Sequence, residues 1–219
     1  GAAATGCSNL AIGGQAMGAA LTTGYHNVAL GQTTLDALTS GCFNVAIGTD
    51  ALGAATTGKC NIALGKLALG AGVTTGIDNI AIGTISMDAL TTGKCNIALG
   101  YNALGASTTG CSNIALGNQA LGAADTTGVN NIAIGSSTMD ALTTGFHNVA
   151  FGHNTLGAST TGCYNVAIGE TVMSGVVTGI DNAGIGRNAA NALTTGKCNV
   201  ALGKSALAAS TTGVNNVAI

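Results

Sequence analysis

The stretch TTGKCNIALG, residues 91–100, decides the fold because versions of it recur along the whole chain. The same ten letters occupy residues 56–65, and the close copy TTGKCNVALG occupies residues 194–203. The looser unit TTGxxN(V/I)A(I/L)GxxALxAx accounts for the rest of the sequence. Its TG glycines, from Gly6 to Gly213, are separated by nine spacings of 17 residues and three of 18. A period this short predicts a solenoid in which each repeat forms one coil.

An asparagine lies three residues after each of these glycines. Asparagine amides stack well between parallel, in-register strands, and asparagine also tolerates left-handed turns. We therefore expect a structural ladder or turn role for this position rather than ligand binding. The members of the predicted ladder are Asn9, Asn27, Asn44, Asn61, Asn79, Asn96, Asn113, Asn131, Asn148, Asn165, Asn182, Asn199 and Asn216.

The segment N(V/I)A(I/L)G alternates large and small side chains, as a β-strand with two different faces does. Val28 and Leu30 would share one face, and Asn27 and Ala29 the other. Leu or Met, eight residues after most of the asparagines, supplies a third apolar column for the interior. Helical repeats need longer units with fewer glycines. The sequence thus predicts an all-β parallel β-solenoid of about 13 coils of 17–18 residues, a single array over 1–219 within a longer chain.

If the large residues point inward, the alanine between them points outward. A column of such alanines would form a flat strip of small side chains, and a contiguous apolar strip is typical of an interface. We therefore expect it to pack against neighbouring chains. The predicted interface strip comprises Ala29, Ala46, Ala63, Ala81, Ala98, Ala115, Ala133, Ala150, Ala167 and Ala201.

Charge is scarce, at 6% of residues with a net charge of −2. No basic patch is available to neutralise phosphates, so nucleic acid is not expected as a partner. A surface with so little charge favours self-association into a homo-oligomer or filament. No apolar run approaches the roughly 20 residues that span a bilayer, so membrane insertion of this segment is not expected either.

No group of residues suggests catalysis, a metal site or a cofactor. The eight acidic residues are dispersed, and His26, His147 and His153 have no carboxylate or thiol at ligand spacing. The sequence therefore predicts a protein that is not an enzyme.

The seven cysteines leave alternatives open. Two pairs, Cys42 with Cys60 and Cys95 with Cys111, lie on consecutive coils, where stacking can bring two Cα atoms within disulfide range. The members of each pair are offset by one residue within the repeat. Free or buried thiols and disulfides within or between chains are therefore all compatible with the sequence.

The runs NVALG, NVAIG and NIALG, followed by xxAL and TTG, resemble the head repeats of trimeric autotransporter adhesins and related bacteriophage tail-fibre repeats. The resemblance covers the whole chain. It implies a left-handed β-roll, three chains side by side in a homotrimer, and an extracellular location on a virion tail fibre or a bacterial cell surface. It also implies a host-surface receptor as partner, or a role as a spacer.

These observations favour a structural or adhesive fibre segment that acts as a spacer or attachment surface. The alternative is an ice-binding β-solenoid that uses stacked Thr and Ala ranks, because a pair such as Thr108–Thr109 recurs in nearly every repeat. Adjacent residues on a strand point to opposite sides, so only one Thr rank of each pair would face water.

Overall fold

Every regular element of the computed structural model is a short β-strand, and the structure describes residues 6–18 and 22–219. The chain divides into two compact units, Gly1–Cys111 and Ser112–Ile219. In each unit, every repeat contributes one strand, which pairs in parallel with the strand of the next repeat. The prediction of an all-β parallel β-solenoid is therefore confirmed. Within the described residues, no helix is long and apolar enough to cross a membrane.

The N-terminal unit stacks six strands in chain order. Equivalent repeat positions pair, so that Val28 faces Val45 and Ala29 faces Ala46 in the neighbouring coil. The asparagines therefore superpose from coil to coil. The strands are β1 (Leu10–Ile12), β2 (Val28–Leu30), β3 (Val45–Ile47), β4 (Ile62–Leu64), β5 (Ile80–Ile82) and β6 (Ile97–Leu99).

The C-terminal unit repeats this arrangement with seven strands. The register again matches equivalent positions, for example Ala133 with Ala150 and Ala150 with Ala167. The strands are β7 (Ile114–Leu116), β8 (Ile132–Ile134), β9 (Val149–Phe151), β10 (Val166–Ile168), β11 (Ala183–Ile185), β12 (Val200–Leu202) and β13 (Val217–Ala218).

The strands face the opposite way from the prediction. The alanines between the large residues line the interior, so the predicted interface strip is wrong. The interior of a 17-residue coil is narrow and already holds an asparagine and, in most coils, a leucine or methionine, so only a small side chain fits beside them. The following alanines are all 0% exposed: Ala29, Ala46, Ala63, Ala81, Ala98, Ala115, Ala133, Ala150, Ala167 and Ala201.

The column eight residues after the asparagine fills the interior as predicted. Its members Leu35, Leu52, Leu69, Met87, Leu104, Leu121, Met139, Leu156 and Met173 are at most 1% exposed. One irregular coil shows how closely this interior is packed. Gly184 replaces the usual alanine, and a Cβ added there would lie 2.7 Å from Val172 Cγ1 and 2.9 Å from Met173 Cε. The larger Val172 and Met173 therefore occupy the space that the missing methyl group leaves.

The glycine four residues after the asparagine is required by the backbone. Gly83 has φ +134°, and a Cβ on it would lie 2.4 Å from the Gly100 carbonyl oxygen on the next coil. Residues with a Cβ rarely adopt this φ, and a Cβ at this position would clash with the carbonyl oxygen. This glycine therefore allows the chain to turn after the strand while coils remain stacked.

The 18-residue repeats are held by an aspartate on the following coil. Asp88 accepts a hydrogen bond from the Ala71 backbone N–H at 2.9 Å, and Asp140 accepts one from Ala123 N–H at 2.9 Å. Both carboxylates thus bind the longer loop of the preceding coil. Asp36 has the same place in its repeat, but the equivalent loop residue lies outside the described part of the chain.

Candidate functional site

The asparagine ladder has one geometry that repeats from coil to coil. The Asn44 backbone N–H and Nδ2 both donate to Asn27 Oδ1, each at 3.0 Å. Asn44 Nδ2 also donates to the Gly58 carbonyl on the next coil, at 2.8 Å. The Oδ1 of Asn44 in turn accepts the same pair of bonds from Asn61. Each amide therefore joins three consecutive coils.

The predicted ladder is present in both units. It runs from Asn9 to Asn96 in the N-terminal unit and from Asn113 to Asn216 in the C-terminal unit. The asparagines between the ends are buried. Because both atoms of each inner amide are engaged by the neighbouring coils, the ladder stabilises the stack and is not a ligand site.

The outward side of the strands carries large apolar residues, which together we call the apolar face. Leu30 is 42% exposed, Leu99 47% and Phe151 53%, and no residue of this face is buried. In the N-terminal unit the face comprises Leu10, Ile12, Val28, Leu30, Val45, Ile47, Ile62, Leu64, Ile80, Ile82, Ile97 and Leu99. In the C-terminal unit it comprises Ile114, Leu116, Ile132, Ile134, Val149, Phe151, Val166, Ile168, Ala183, Ile185, Val200, Leu202 and Val217.

The apolar face is large for an exposed surface. Coils about 4.8 Å apart, with two outward residues about 7 Å apart on each strand, give a projected area of roughly 200 Å² in each unit between the Cβ positions, and the side chains extend the patch beyond these positions to roughly a few hundred Å². Contiguous apolar patches of this size commonly mark interaction sites. The face carries no charged residue. Sequence reasoning missed it because the large residues were assigned to the interior.

Exposed polar residues border one side of the apolar face. They lie five residues after each asparagine and include Lys66 in the N-terminal unit and His153, Glu170 and Arg187 in the C-terminal unit. Polar residues around an apolar centre are typical of protein interfaces.

The other border is formed by the residue directly before each asparagine, which we call the pre-asparagine column. All its members are exposed and have positive φ, which turns their side chains away from the interior. In the N-terminal unit the column comprises Ser8, His26, Phe43, Cys60, Asp78 and Cys95. In the C-terminal unit it comprises Ser112, Asn130, His147, Tyr164, Asp181, Cys198 and Asn215.

Two aromatic clusters with the same layout lie at this border. In the N-terminal unit the His26 ring stacks on Phe43, with centroids 5.2 Å apart, and Tyr25 meets both rings edge-on. Hydrogen bonding with the Cys42 thiol is the main cause that raises the pKa of Tyr25.

The C-terminal unit contains the matching cluster. The His147 ring stacks on Tyr164 at 5.2 Å, and Phe146 meets both rings edge-on. Two of the three histidines therefore belong to aromatic clusters, whereas His153 lies on the opposite border. Among the described residues, no three His, Cys, Asp or Glu side chains converge on a potential metal position.

Of the alternatives that the sequence left open for the cysteines, the structure has free thiols: the candidate disulfides Cys42 with Cys60 and Cys95 with Cys111 are not formed, and all seven cysteines are free. Cys42 is 5% exposed, whereas Cys60 is exposed although its N–H bonds the Cys42 carbonyl at 3.0 Å. The one-residue offset accounts for the difference, because Cys60 belongs to the pre-asparagine column, where positive φ directs the side chain outward, and Cys42 does not. Cys95 is likewise exposed, while Cys111 Sγ contacts the Thr109 carbonyl at 3.4 Å. Disulfides between chains stay a prediction.

The two threonines of the repeat point in different directions, as expected. The first lies at least partly inside in most coils and bonds the next coil, as when Thr91 Oγ1 donates to the Thr108 carbonyl at 3.0 Å. The second is exposed, as at Thr92 and Thr109. The ice-binding alternative requires exposed Thr and Ala ranks. Because the alanine column lies in the interior, only one exposed Thr rank could form an ice-binding surface.

The two units therefore present one apolar face each, bordered by polar residues on one side and by thiols and aromatic clusters on the other. No protein-family model, curated protein or solved structure matches this chain.

Proposed function

We propose that this chain is a structural fibre segment that associates with copies of itself and serves as a spacer or attachment surface. The observation that supports the proposal is the apolar face. Its side chains are individually 36–53% exposed at positions such as Ile82, Leu99 and Phe151. Covering these side chains would remove apolar surface from water, which stabilises the association by about 25 cal/mol per Å² of apolar surface buried.

A second copy of the chain is the partner that fits this face best. Its side chains repeat with the same spacing between coils, so they can fill the gaps of the first copy along the face. No charge lies on the face, so pairing two copies buries no like charges. A globular partner would have to reproduce the spacing by chance.

In this proposal the assembly is a homo-oligomer, a trimer or a filament, of left-handed β-rolls, displayed outside the cell on a tail fibre or a bacterial surface. The resemblance to adhesin heads and tail-fibre repeats supports the trimer, the handedness and the location. The interlocked ladder supports the mechanical role, because each coil is hydrogen-bonded to both neighbours.

The aromatic clusters are assigned to the contact between copies, because they lie at the border of the apolar face. Phe43 is 50% exposed and Tyr164 is 51% exposed, in a chain with few aromatic residues. Aromatic residues are enriched at protein interfaces. Phe43→Ser with Tyr164→Ser should weaken self-association, seen as a lower molar mass on dilution, whereas Val73→Ser, which changes an exposed apolar residue outside the face and its borders, should not.

The test of self-association is the molar mass in solution. Light scattering coupled to size exclusion should show an oligomer for the unmodified chain and a monomer for Leu64→Glu combined with Ile134→Glu. The matched control is Lys66→Glu combined with Ser136→Glu, two residues further along the same coils, which should remain oligomeric. A monomeric unmodified chain at micromolar concentration would overturn the proposal.

The ice-binding alternative is supported by the exposed Thr rank that includes Thr92 and Thr109. One rank presents a narrow surface, and its neighbours are not a second threonine or alanine column. Thermal hysteresis in dilute solution decides between the two functions. We expect none, and a clear hysteresis that Thr92→Lys abolishes would favour ice binding.

A further inference from the structure

Three of the seven cysteines occupy one exposed place in the repeat. Cys60, Cys95 and Cys198 each follow a lysine and precede a ladder asparagine, and each has φ between 55° and 57°. All three are exposed and free. Cysteine is ordinarily among the most buried residue types. Outward thiols repeated at one position therefore require an explanation that packing does not supply.

These thiols have no partner in their own column. Cys60 and Cys95 are separated by the coil of Asp78, whose N–H bonds the Lys59 carbonyl. Two coil spacings amount to about 9.6 Å, whereas a disulfide needs Cα atoms about 4.4–6.8 Å apart. Cys198 has Asp181 before it and Asn215 after it in the column. An odd number of cysteines also leaves at least one unpaired within any single chain.

The three thiols lie directly beside the apolar face. Cys60, Cys95 and Cys198 precede the face residues Ile62, Ile97 and Val200 by two positions, with only the inward asparagine between. A copy of the chain that covers the face therefore brings its own border residues close. If the strands of the two copies run in the same direction, the two pre-asparagine columns come together. If they run in opposite directions, each thiol column meets the polar border instead.

We infer that Cys60, Cys95 and Cys198 form disulfides between copies of this chain, which lock the assembly of apolar faces covalently. The inference rests on the proposed self-association and adds the site, the bond and the direction of the paired strands. It selects faces that are paired two by two rather than three chains around one axis, where each thiol column would meet the polar border of the next chain. Exposed cysteines in an oxidising, extracellular setting are suited to such bonds.

The oxidant is a low-molecular-weight disulfide, and the step is thiol–disulfide exchange. A Cys60 thiolate attacks the oxidant, forms a mixed disulfide and releases one small thiolate. A thiolate of the second copy attacks the protein sulfur of the mixed disulfide and releases the other small thiolate. Two protein thiols are thereby oxidised, the small disulfide is reduced to two thiols, and the protein protons go to those products.

The surroundings of Cys60 favour a slow, pH-dependent reaction. Desolvation by neighbouring groups is the main cause that raises the pKa of the Cys60 thiol. The Asp78 carboxylate and the Cys42 thiol raise this pKa further, and Lys59 lowers it. The thiolate, which is the attacking species, is therefore a minor form at neutral pH, and crosslinking should accelerate as the pH rises.

The experiment treats the full chain with oxidised glutathione at pH 8 and separates it on a denaturing gel without reductant. The unmodified chain should give covalent oligomers, and peptide mass spectrometry should find the crosslinks at Cys60, Cys95 or Cys198. The variant with these three cysteines changed to serine should lose at least about nine-tenths of the crosslinked product. The control Cys7→Ser with Cys111→Ser should keep it.

Light scattering of the same samples separates the two ways of failing. A chain that stays oligomeric but forms no crosslinks, or forms them only at Cys42 or Cys163, overturns the inference and leaves the proposed function intact. A chain that is monomeric both with and without reductant overturns the proposed function and the inference with it. Dithiothreitol should remove the covalent bands without lowering the native molar mass.

Discussion

Replacing Asn148 with alanine removes one step from the ladder of the C-terminal unit. Its Nδ2 donates to Asn131 Oδ1 at 3.1 Å and to the Gly162 carbonyl at 2.7 Å. Its Oδ1 accepts from the Asn165 backbone N–H at 3.0 Å and from Asn165 Nδ2 at 3.2 Å. Four hydrogen bonds therefore disappear with a single side chain.

The loss of stability in Asn148→Ala follows from the hydrogen-bonding groups that are left without a partner. Asn131 Oδ1 keeps the backbone N–H of residue 148, and Asn165 Nδ2 keeps the Gly179 carbonyl. The Gly162 carbonyl loses its donor, Asn148 Nδ2, and the Asn165 backbone N–H loses its acceptor, Asn148 Oδ1. Asn148 is fully buried, so the remaining groups are shielded from bulk water. Each unsatisfied buried group costs about 1–3 kcal/mol, so the expected loss in the free energy of unfolding is about 2–6 kcal/mol.

Urea unfolding followed by circular dichroism measures this loss. The control is Asn118→Ala, which truncates an exposed asparagine of the same unit and should change stability by less than about 0.5 kcal/mol. The reasoning is refuted if Asn148→Ala unfolds at the same urea concentration as the control. Such a result would mean that the ladder bonds add nothing beyond what water provides.

Three further substitutions test local features of the coils. Gly83→Ala should lower the free energy of unfolding by more than about 2 kcal/mol, because φ is +134° and the added Cβ would clash. In the control Gly14→Ala, the added Cβ meets nothing within 4 Å, so the urea midpoint should not change. Asp88→Ala should cost about 1 kcal/mol by removing an acceptor, whereas Asp88→Asn retains it. Burial raises the pKa of Asp88, so the folded state binds the carboxyl proton more tightly than the unfolded state does. The stability of the unmodified chain, measured as the urea midpoint, should therefore fall as the pH rises just above 3.8. Asp88→Asn should make this fall smaller. Asp78→Asn should lower the pKa of Cys60 and speed its alkylation by iodoacetamide severalfold at pH 8; an unchanged rate would contradict the coupling.

The repeat period and the strand pattern were sufficient to predict the coils, their parallel stacking and the ladder. They were not sufficient to predict which strand face is inside. An alternation of period two defines two faces but does not orient them. Hydrophobicity alone favours Val28 and Leu30 as interior residues, yet they lie outside.

The signal that orients the strands was present in the sequence. Asn27 and Ala29 share a face, and an amide ladder is strong only where water is excluded. A buried ladder therefore requires the alanine to be buried as well, which leaves the large residues outside. The ladder and the outward alanine strip were incompatible predictions.

The direction of the cysteines could not be read from their spacing. It depends on the left-handed backbone of the pre-asparagine column, where φ is 56° at Cys60. Residues that tolerate this conformation, such as Asp78, Asn130 and Asn215, do occur in the column, but Phe43 and the cysteines hide the pattern. The 52-residue recurrence of Asp36, Asp88 and Asp140 was visible, whereas its cause, the longer preceding coil, needed the hydrogen bonds.

The most direct test of the central claim is hydroxyl-radical footprinting of the native assembly, compared with the Leu64→Glu, Ile134→Glu double variant. We predict that Leu30, Leu99 and Ile168, which are exposed in the single chain, are protected in the assembly and become labelled in the variant. Val73 and Val176, which are exposed and lie three residues before a TG glycine, outside the face and its borders, should be labelled equally in both. Equal labelling of Leu30, Leu99 and Ile168 in the two samples would contradict the claim that copies of the chain cover the apolar face.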